Sequence, residues 1–396
     1  MRAAGAGPVG ASVPDVALDD LDIAAGMVVG SIPAVGIWPG AGRHESPLAA
    51  IEAIVLAGLR RAPCLISFSG GRDSSALLAV ASTLAAREGL AAPVPITARF
   101  QAEETEETEW QQLVVEHLGI DEWITVEIGD ELDLLGPSGR GFLLRHGLRY
   151  PQNTHFQEPL SRRAAGGTLI SGAGGDELFE PHRFARAAAV LGRSVRPRRS
   201  DVLVVGAALS PRPVRARVHH RGQLTVPEWL TSSGRRALLR RVHRWLGEDR
   251  VRYDAHLEWW RRSRYLNHGQ HSFELLAGDH DVQVLAPFSE DRVLRALAAE
   301  RGGVGFPSRA AALGHVFGDL LPRAIVERRS KATFLSPLVG PETRAFARTA
   351  DPTSLTVSGW VDPYRLRQAW LQDTVDVRSL PALQQCWLRE QGSRAP

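Results

Sequence analysis

Lysine is almost absent from this chain. Of its 47 Lys and Arg residues one is lysine, Lys331 in the stretch RRSKATF, and the rest are arginine. Drift toward arginine is one explanation. A chemical demand is the other, because lysine is a compact point charge on a flexible stem and arginine a flat, bulky fork. Cysteine is scarce too: Cys64 and Cys386 stand far apart, which excludes a cysteine-based metal module or disulfide framework and fits a reducing cytoplasm. No uninterrupted apolar run reaches about 18 residues. The opening MRAAGAGPVGASVPDVALDD has no compact apolar core before a cleavage site, so neither a membrane span nor a secretory leader is indicated. A net charge of only +3 gives no whole-surface attraction to nucleic acid or membrane and leaves local charge to decide.

What is present is a globular composition, 44% hydrophobic and 23% charged over 396 residues, enough for one large or two ordinary domains. No internal repeat is found. The first 46 residues, rich in Gly, Ala and Pro, read as a short extension. From residue 47 to 182 helical and strand patterns alternate: PLAAIEAIVLAGLRRA as helix, CLISF as strand, SALLAVASTLAAREG as helix, PITARF as strand, EETEWQQLVVEHLG as helix, then EWITVEI and GTLIS as strands. Such alternation predicts an α/β fold, a parallel sheet with helices on both faces. Residues 183–250 form an arginine-rich insertion, with sixteen arginines against four acids and with Pro197, Pro211 and Pro213. Residues 251–396 read as a mostly helical half, with AHLEWWRRSRYLNHGQHSFELL, SEDRVLRALAAE and RAAALGHVFGDLLPRAIVERR as helices.

Two glycine-rich turns carry the chemistry. SFSGGRDSS follows a strand and opens a helix: Gly70 and Gly71 let the backbone approach a ligand, the helix start offers unsatisfied N–H groups, and Ser69, Ser74 and Ser75 add hydroxyls. This is an anion cradle, although it lacks the GxxxxGK[ST] pattern. Asp73 beside phosphate oxygens would be repulsive unless a cation lies between, and Mg²⁺ is held by one or two carboxylates with phosphates and water. The plain alternative is that Asp73 caps the helix. SGAGGDELF repeats the arrangement, with Ser171 and Gly172 in the turn and Asp176 as a second carboxylate. Both loops would lie at the carboxyl ends of parallel strands, where ligands collect in open α/β sheets.

SGGRDSS followed about a hundred residues later by SGAGGDELF resembles the PP-loop ATP pyrophosphatase domain of asparagine synthetases, β-lactam synthetases and lasso-peptide cyclases, an adenine nucleotide alpha hydrolase-like fold. APFSEDRVLRALA and LLPRAIVERRSKATFLSPL resemble later segments of the same family. The resemblance spans roughly Pro47 to Leu338. It implies that Ser69, Gly70, Gly71, Asp73, Ser74, Ser75, Ser171 and Gly172 hold ATP, that Asp73 and Asp176 bind Mg²⁺, and that Lys331 contacts the phosphates. The lone lysine thus aligns with the family's catalytic one. The implied reaction is ATP-dependent and AMP-forming: a carboxylate is adenylated with release of pyrophosphate, then passed to an amine or ammonia.

The sequence departs from that pattern at three places. Asparagine synthetases carry a glutaminase domain whose cysteine follows the initiator Met. Here residue 2 is Arg2 and about sixty residues precede the first strand, so no glutaminase is expected. Ala173 stands where asparagine synthetases have glutamate and β-lactam synthetases tyrosine, and it can neither bind a substrate nor move a proton. That favours a specialised carboxylate, as in peptide macrocyclisation, over aspartate with ammonia. The basic insertion is either a solvated surface or a docking site for an acidic precursor peptide or partner protein. Its arginines are not interleaved with aromatics, which argues against RNA. A non-catalytic nucleotide-binding scaffold is the reading from another class, opposed by Asp73, Asp176 and Lys331. Trp259 and Trp260 are expected as core or interface aromatics, and His268, His271 and His280 have no metal spacing. Glu177 is either a helper of the metal shell or a helix-start acid, and Glu258 and Glu274 are candidate bases without a motif.

Overall fold

The computed structural model of the chain describes residues 17–33, 45–100, 107–220, 225–328, 338–355, 357 and 359–394. Five strands form one sheet in the order β3-β2-β1-β4-β5: β1 is Cys64–Ser67, β2 Val94–Phe100, β3 Ile124–Ile128, β4 Thr168–Ile170 and β5 Gln283–Leu285. Every pairing is parallel. The helix Arg72–Glu88 carries the chain from β1 to β2 and ends on Gly89 at φ 64°, a left-handed cap that glycine adopts without a Cβ clash. The helix Thr108–Leu118 carries it from β2 to β3.

Alternate residues of each strand feed two apolar layers, as expected for a sheet covered on both faces. Ile66, Ile170 and Leu285 join the layer with the helices Pro47–Leu59 and Arg72–Glu88. Leu65, Ile96 and Leu169 join Leu160, Ala277 and Val282 in the other. The helix Pro47–Leu59 lies so close that a Cβ on Gly58 would sit 2.9 Å from Leu285 Cδ1. After β3 the chain returns past β1 to lay down β4, so strand order reverses between β1 and β4. That reversal opens a crevice at the carboxyl ends of these two strands.

Three stretches are built differently from their sequence pattern. Residues 183–250 contain the helices Ala185–Leu191, Asp201–Leu209, Arg212–His220 and Ser232–Glu248, with the prolines in connections or a first turn. The long pattern from Ala255 to Leu276 is broken into Tyr253–Arg261 and Arg264–Gly278, because Ser263 is extended (φ −63°, ψ 129°) and bridges to Ser31. Arg262 O there accepts from Ile32 N at 2.7 Å, and Arg264 N donates to Gly30 O at 2.8 Å. The pattern from Arg309 onward splits at Gly318 (φ 53°) and Pro322 into Arg309–Phe317 and Arg323–Glu327. Among the described residues no helix is long and apolar enough to cross a membrane.

A further apolar cluster draws on remote parts of the chain: Leu21, Ile23 and Ala24, then Trp229, Leu238 and Val242, then Leu366, Leu383 and Trp387. Trp229 Nε1 donates to Ala24 O at 2.8 Å. Asp22 is buried and accepts from Arg264 and Arg241.

His155 and His182 are buried, and burial pushes each imidazole down to about 4. These values lie below the unfolded value near 6.5, so the unfolded chain takes up protons first. Stability is therefore full above that value and is lost as pH falls toward the folded pKa, by at most about 3 kcal/mol per histidine. The urea midpoint is expected to drop between pH 7 and pH 4.5. His182→Gln, whose amide can replace the contact of Nε2 with Val251 O at 3.1 Å, is expected to shrink that drop. An unchanged pH profile in the variant would remove His182 from this account.

Candidate functional site

The loop after β1 leads into the helix Arg72–Glu88 through Ser69, Gly70 and Gly71. Gly71 is the N-cap and supplies no side-chain cap, so the first-turn amides remain available to a ligand. Gly70 has φ 75°, and a Cβ there would lie 2.7 Å from Gln111 Cγ. Ser74 Oγ donates to Gly71 O at 3.1 Å and accepts from Ser69 N at 3.2 Å, while Ser69 Oγ accepts from Gly71 N at 3.3 Å. These hydroxyls shape the loop and also line the cavity beside it.

The loop after β4 is pinned to β5 by Ser171 N donating to Leu285 O at 2.8 Å, and Ala173 N donates to Ser171 Oγ at 3.3 Å. It presses directly on the first loop. A Cβ on Gly172 would sit 3.3 Å from Asp73 Cβ, and one on Gly175 would fall 2.4 Å from Asp73 Cγ. The absence of side chains at 172 and 175 is what lets Asp73 and Asp176, carried by separate crossover units, face one cavity.

The two carboxylates meet on Arg309. From the first turn of the helix Arg309–Phe317, its Nη2 donates to Asp73 Oδ2 at 2.5 Å, and its Nη1 to Asp176 Oδ1 at 2.5 Å and Glu180 Oε1 at 3.2 Å. Asp73 is largely buried and Asp176 is half-exposed at the cavity edge. Burial raises the Asp73 carboxyl above its ordinary value and Arg309 opposes that rise. On Arg309 burial works against the charge, but Asp73 and Asp176 outweigh it, so its pKa is raised and the guanidinium stays protonated. Asp73 Oδ1 is buried with no hydrogen-bond donor among the described residues.

The cavity encloses about 250 Å³, and its wall includes Ser69, Gly71, Asp73, Ser74, Ser171, Gly172, Ala173 and Asp176. Two of the residues expected to hold ATP stand elsewhere. Ser75 is fully buried behind the loop, its Oγ without a partner among the described residues, and is not part of the wall. Gly70 acts through its carbonyl, which accepts from Arg328 Nη1 at 3.0 Å. Lys331 lies outside the described residues. Arg328, three positions before it, is in the cavity wall, pairs with Glu107 and stacks over Trp110 at 4.6 Å.

Arg72, Arg309 and Arg328 are the residues that sequence reasoning missed. Arg72 stands inside SGGRDSS and was readable there as a cation at the loop. Arg309 and Arg328 have no local signature, since they act on partners more than a hundred positions away. Neither candidate base lines this cavity. Glu258 faces a separate groove. Glu274 is half-buried and accepts from Gln270 at 3.2 Å, and burial raises its pKa. Trp259 and Trp260 are buried core aromatics. Among the described residues no group of three or more His, Cys, Asp or Glu side chains is placed to hold a metal.

The family model for asparagine synthase matches residues 59–389, a span that contains both loops, Arg309 and Lys331. A comparison with curated proteins gives no match.

Because Arg309 neutralises buried Asp73, Arg309→Leu is expected to destabilise the fold by about 3 kcal/mol at pH 7, the cost of leaving a buried charge unpaired. The loss should shrink at pH 5, where Asp73, its pKa raised further in the variant, takes up a proton. A pH-independent loss in urea titrations would point to packing instead.

Proposed function

The chain belongs to the asparagine synthase family of ATP-dependent carbon–nitrogen ligases, and on that premise we propose that it is an AMP-forming amide synthetase acting in the cavity between the β1 and β4 loops. The observation that carries the proposal is the meeting of Asp73 and Asp176 across one cavity at the point where strand order reverses. The uncapped start of the helix Arg72–Glu88 and the Ser69 and Ser74 hydroxyls suit phosphate oxygens. Arg72, Arg309 and Arg328 bring positive charge to the same wall.

In the first step an oxygen of the substrate carboxylate attacks the α-phosphorus of ATP. The bond to the β-phosphate breaks, and pyrophosphate leaves an acyl-adenylate. In the second, an amine nitrogen attacks the acyl carbon, the bond to the adenylate oxygen breaks, and AMP departs with an amide formed and one proton released from the nitrogen to solvent. A carboxylate resists nucleophiles, so its oxygen must first become a good leaving group. Asp73 and Asp176 would hold Mg²⁺, and the orphaned Asp73 Oδ1 fits that role; phosphate and water oxygens would complete the shell. The metal would polarise the phosphates and neutralise their charge. Arg309 opposes the rise that burial imposes on the Asp73 carboxyl. Lys331 is assigned to the charge that develops on the transferring phosphate, where a compact ammonium can follow one oxygen.

Ala173 in the cavity wall offers no group to grip or deprotonate a small acceptor. That supports a carboxylate larger than aspartate, including a peptide side chain closed onto an internal amine. ATP–pyrophosphate exchange with a panel of carboxylates tests the reading. Exchange with one of them identifies the acceptor, whereas silence with all would leave a nucleotide-binding scaffold. Lys331→Arg is expected to keep ATP binding but lose about 100-fold or more in turnover, the scale of one preorganised charge at a transition state. Near wild-type turnover would remove the role given to that side chain.

A further inference from the structure

One further cavity adjoins the proposed nucleotide site, and another adjoins that one in turn. The first, about 410 Å³, shares Asp176 with that site and is walled by Trp245, Trp259, Trp260 and Tyr265. The Trp245 and Trp259 rings stack at 4.9 Å, and Trp260 Nε1 donates to Tyr265 OH at 2.7 Å. Four buried polar atoms of its wall make no hydrogen bond among the described residues: His182 Nδ1, Trp245 Nε1, and Arg183 Nη1 and Asp249 Oδ2, which form an ion pair with each other at 3.9 Å. Asp249 is fully buried and His182 is 6% exposed. Such groups cost free energy unless something else satisfies them.

Trp259 is also part of the wall of the second cavity, a groove of about 750 Å³. Five arginines line it, Arg212, Arg215, Arg250, Arg252 and Arg262, against Glu248 and Glu258, an excess of three positive charges. Arg252 is paired with Asp254, and Arg262 donates to Ile32 O. Arg215 is 8% exposed and donates to three backbone carbonyls, but its Nε is buried without a partner. The exposed heads of Arg212 and Arg250 make no ion pair among the described residues. Burial lowers the Arg215 pKa, and Arg250 and Arg212 press on it as like charges. Buried Asp249 offsets part of this on Arg215, so the groove's surplus positive charge rests mainly on the exposed Arg212 and Arg250.

We propose that this groove binds an acidic segment of an extended, peptide-type substrate, whose reacting carboxylate reaches Asp176 by way of the aromatic chamber. The reacting end rests on the ligase reading above; the anchoring contact does not. Cavities of these sizes suit multi-residue ligands. Tryptophan and tyrosine walls suit apolar side chains joined by polar amides. No aromatic platform alternates with the arginines as single-stranded nucleic acid requires.

The test is fluorescence anisotropy of the full chain with fluorescein-labelled hexaglutamate, alongside hexalysine, a neutral Gly-Ser hexamer and a hexanucleotide RNA. The variant is Arg212→Ser with Arg250→Ser. Its control is Arg198→Ser with Arg199→Ser, exposed positions of the same insertion outside the groove. Hexaglutamate affinity is expected to fall about tenfold in the first and less than about twofold in the second, since two desolvated charge contacts are lost only from the groove. Equal losses in both pairs, no loss in the first, or tighter binding of RNA than of hexaglutamate would overturn the proposal. Silent ATP–pyrophosphate exchange together with groove-dependent binding would sink the ligase reading and leave the groove standing.

Discussion

A single guanidinium holds the cavity together. Asp73 and Asp176 arrive on different crossover units and would repel each other across the few ångströms that glycines at 172 and 175 leave between the loops. Arg309 supplies the compensating charge from a helix beyond β5, so the cavity is electrostatically complete only after the later half of the chain has docked on the sheet. The dependence runs both ways. Arg309 is nearly inaccessible to water, and without the two carboxylates its own burial would be strongly unfavourable.

The parts of this arrangement that were legible in the sequence are those with short-range causes. CLISF, PITARF, EWITVEI and GTLIS are apolar or alternating runs between turn signals, and each holds a strand. SGGRDSS and SGAGGDELF have to turn tightly after a strand, which is why the sequence could bring Asp73 and Asp176 to one place, and they do line one cavity. β5 has only three residues and gives no periodicity to read. The break at Ser263 is imposed by pairing with residues 30–32, and the Arg309 contact spans 236 positions to Asp73. Such long-range causes leave no mark in a local window.

The arginine-rich stretch shows the same limit. Its charge count suggested an irregular basic surface, yet it folds into four helices whose apolar residues include Leu238, Val242 and Leu246 of a buried cluster. The charge is sorted by geometry: Arg186 pairs with Asp201, Arg241 with Asp19 and Asp22, and Arg215 is sunk against backbone carbonyls. Of the exposed remainder, Arg212 and Arg250 share one groove beside the aromatic chamber. Composition states how much charge a segment carries, and only the packing decides which of it remains for a partner.

The cluster that joins Leu21, Trp229 and Trp387 has its own consequence. Terminal segments usually fray first, because little holds them. Here a helix from near the start and one from near the finish are stitched through a shared interior, and Gly26 lies so close to Arg378 that a methyl group there would overlap its carbonyl oxygen. Detaching the leading segment would uncover Trp229 and strand Asp22, so loosening either extremity is tied to the cooperative melting of the whole helical half.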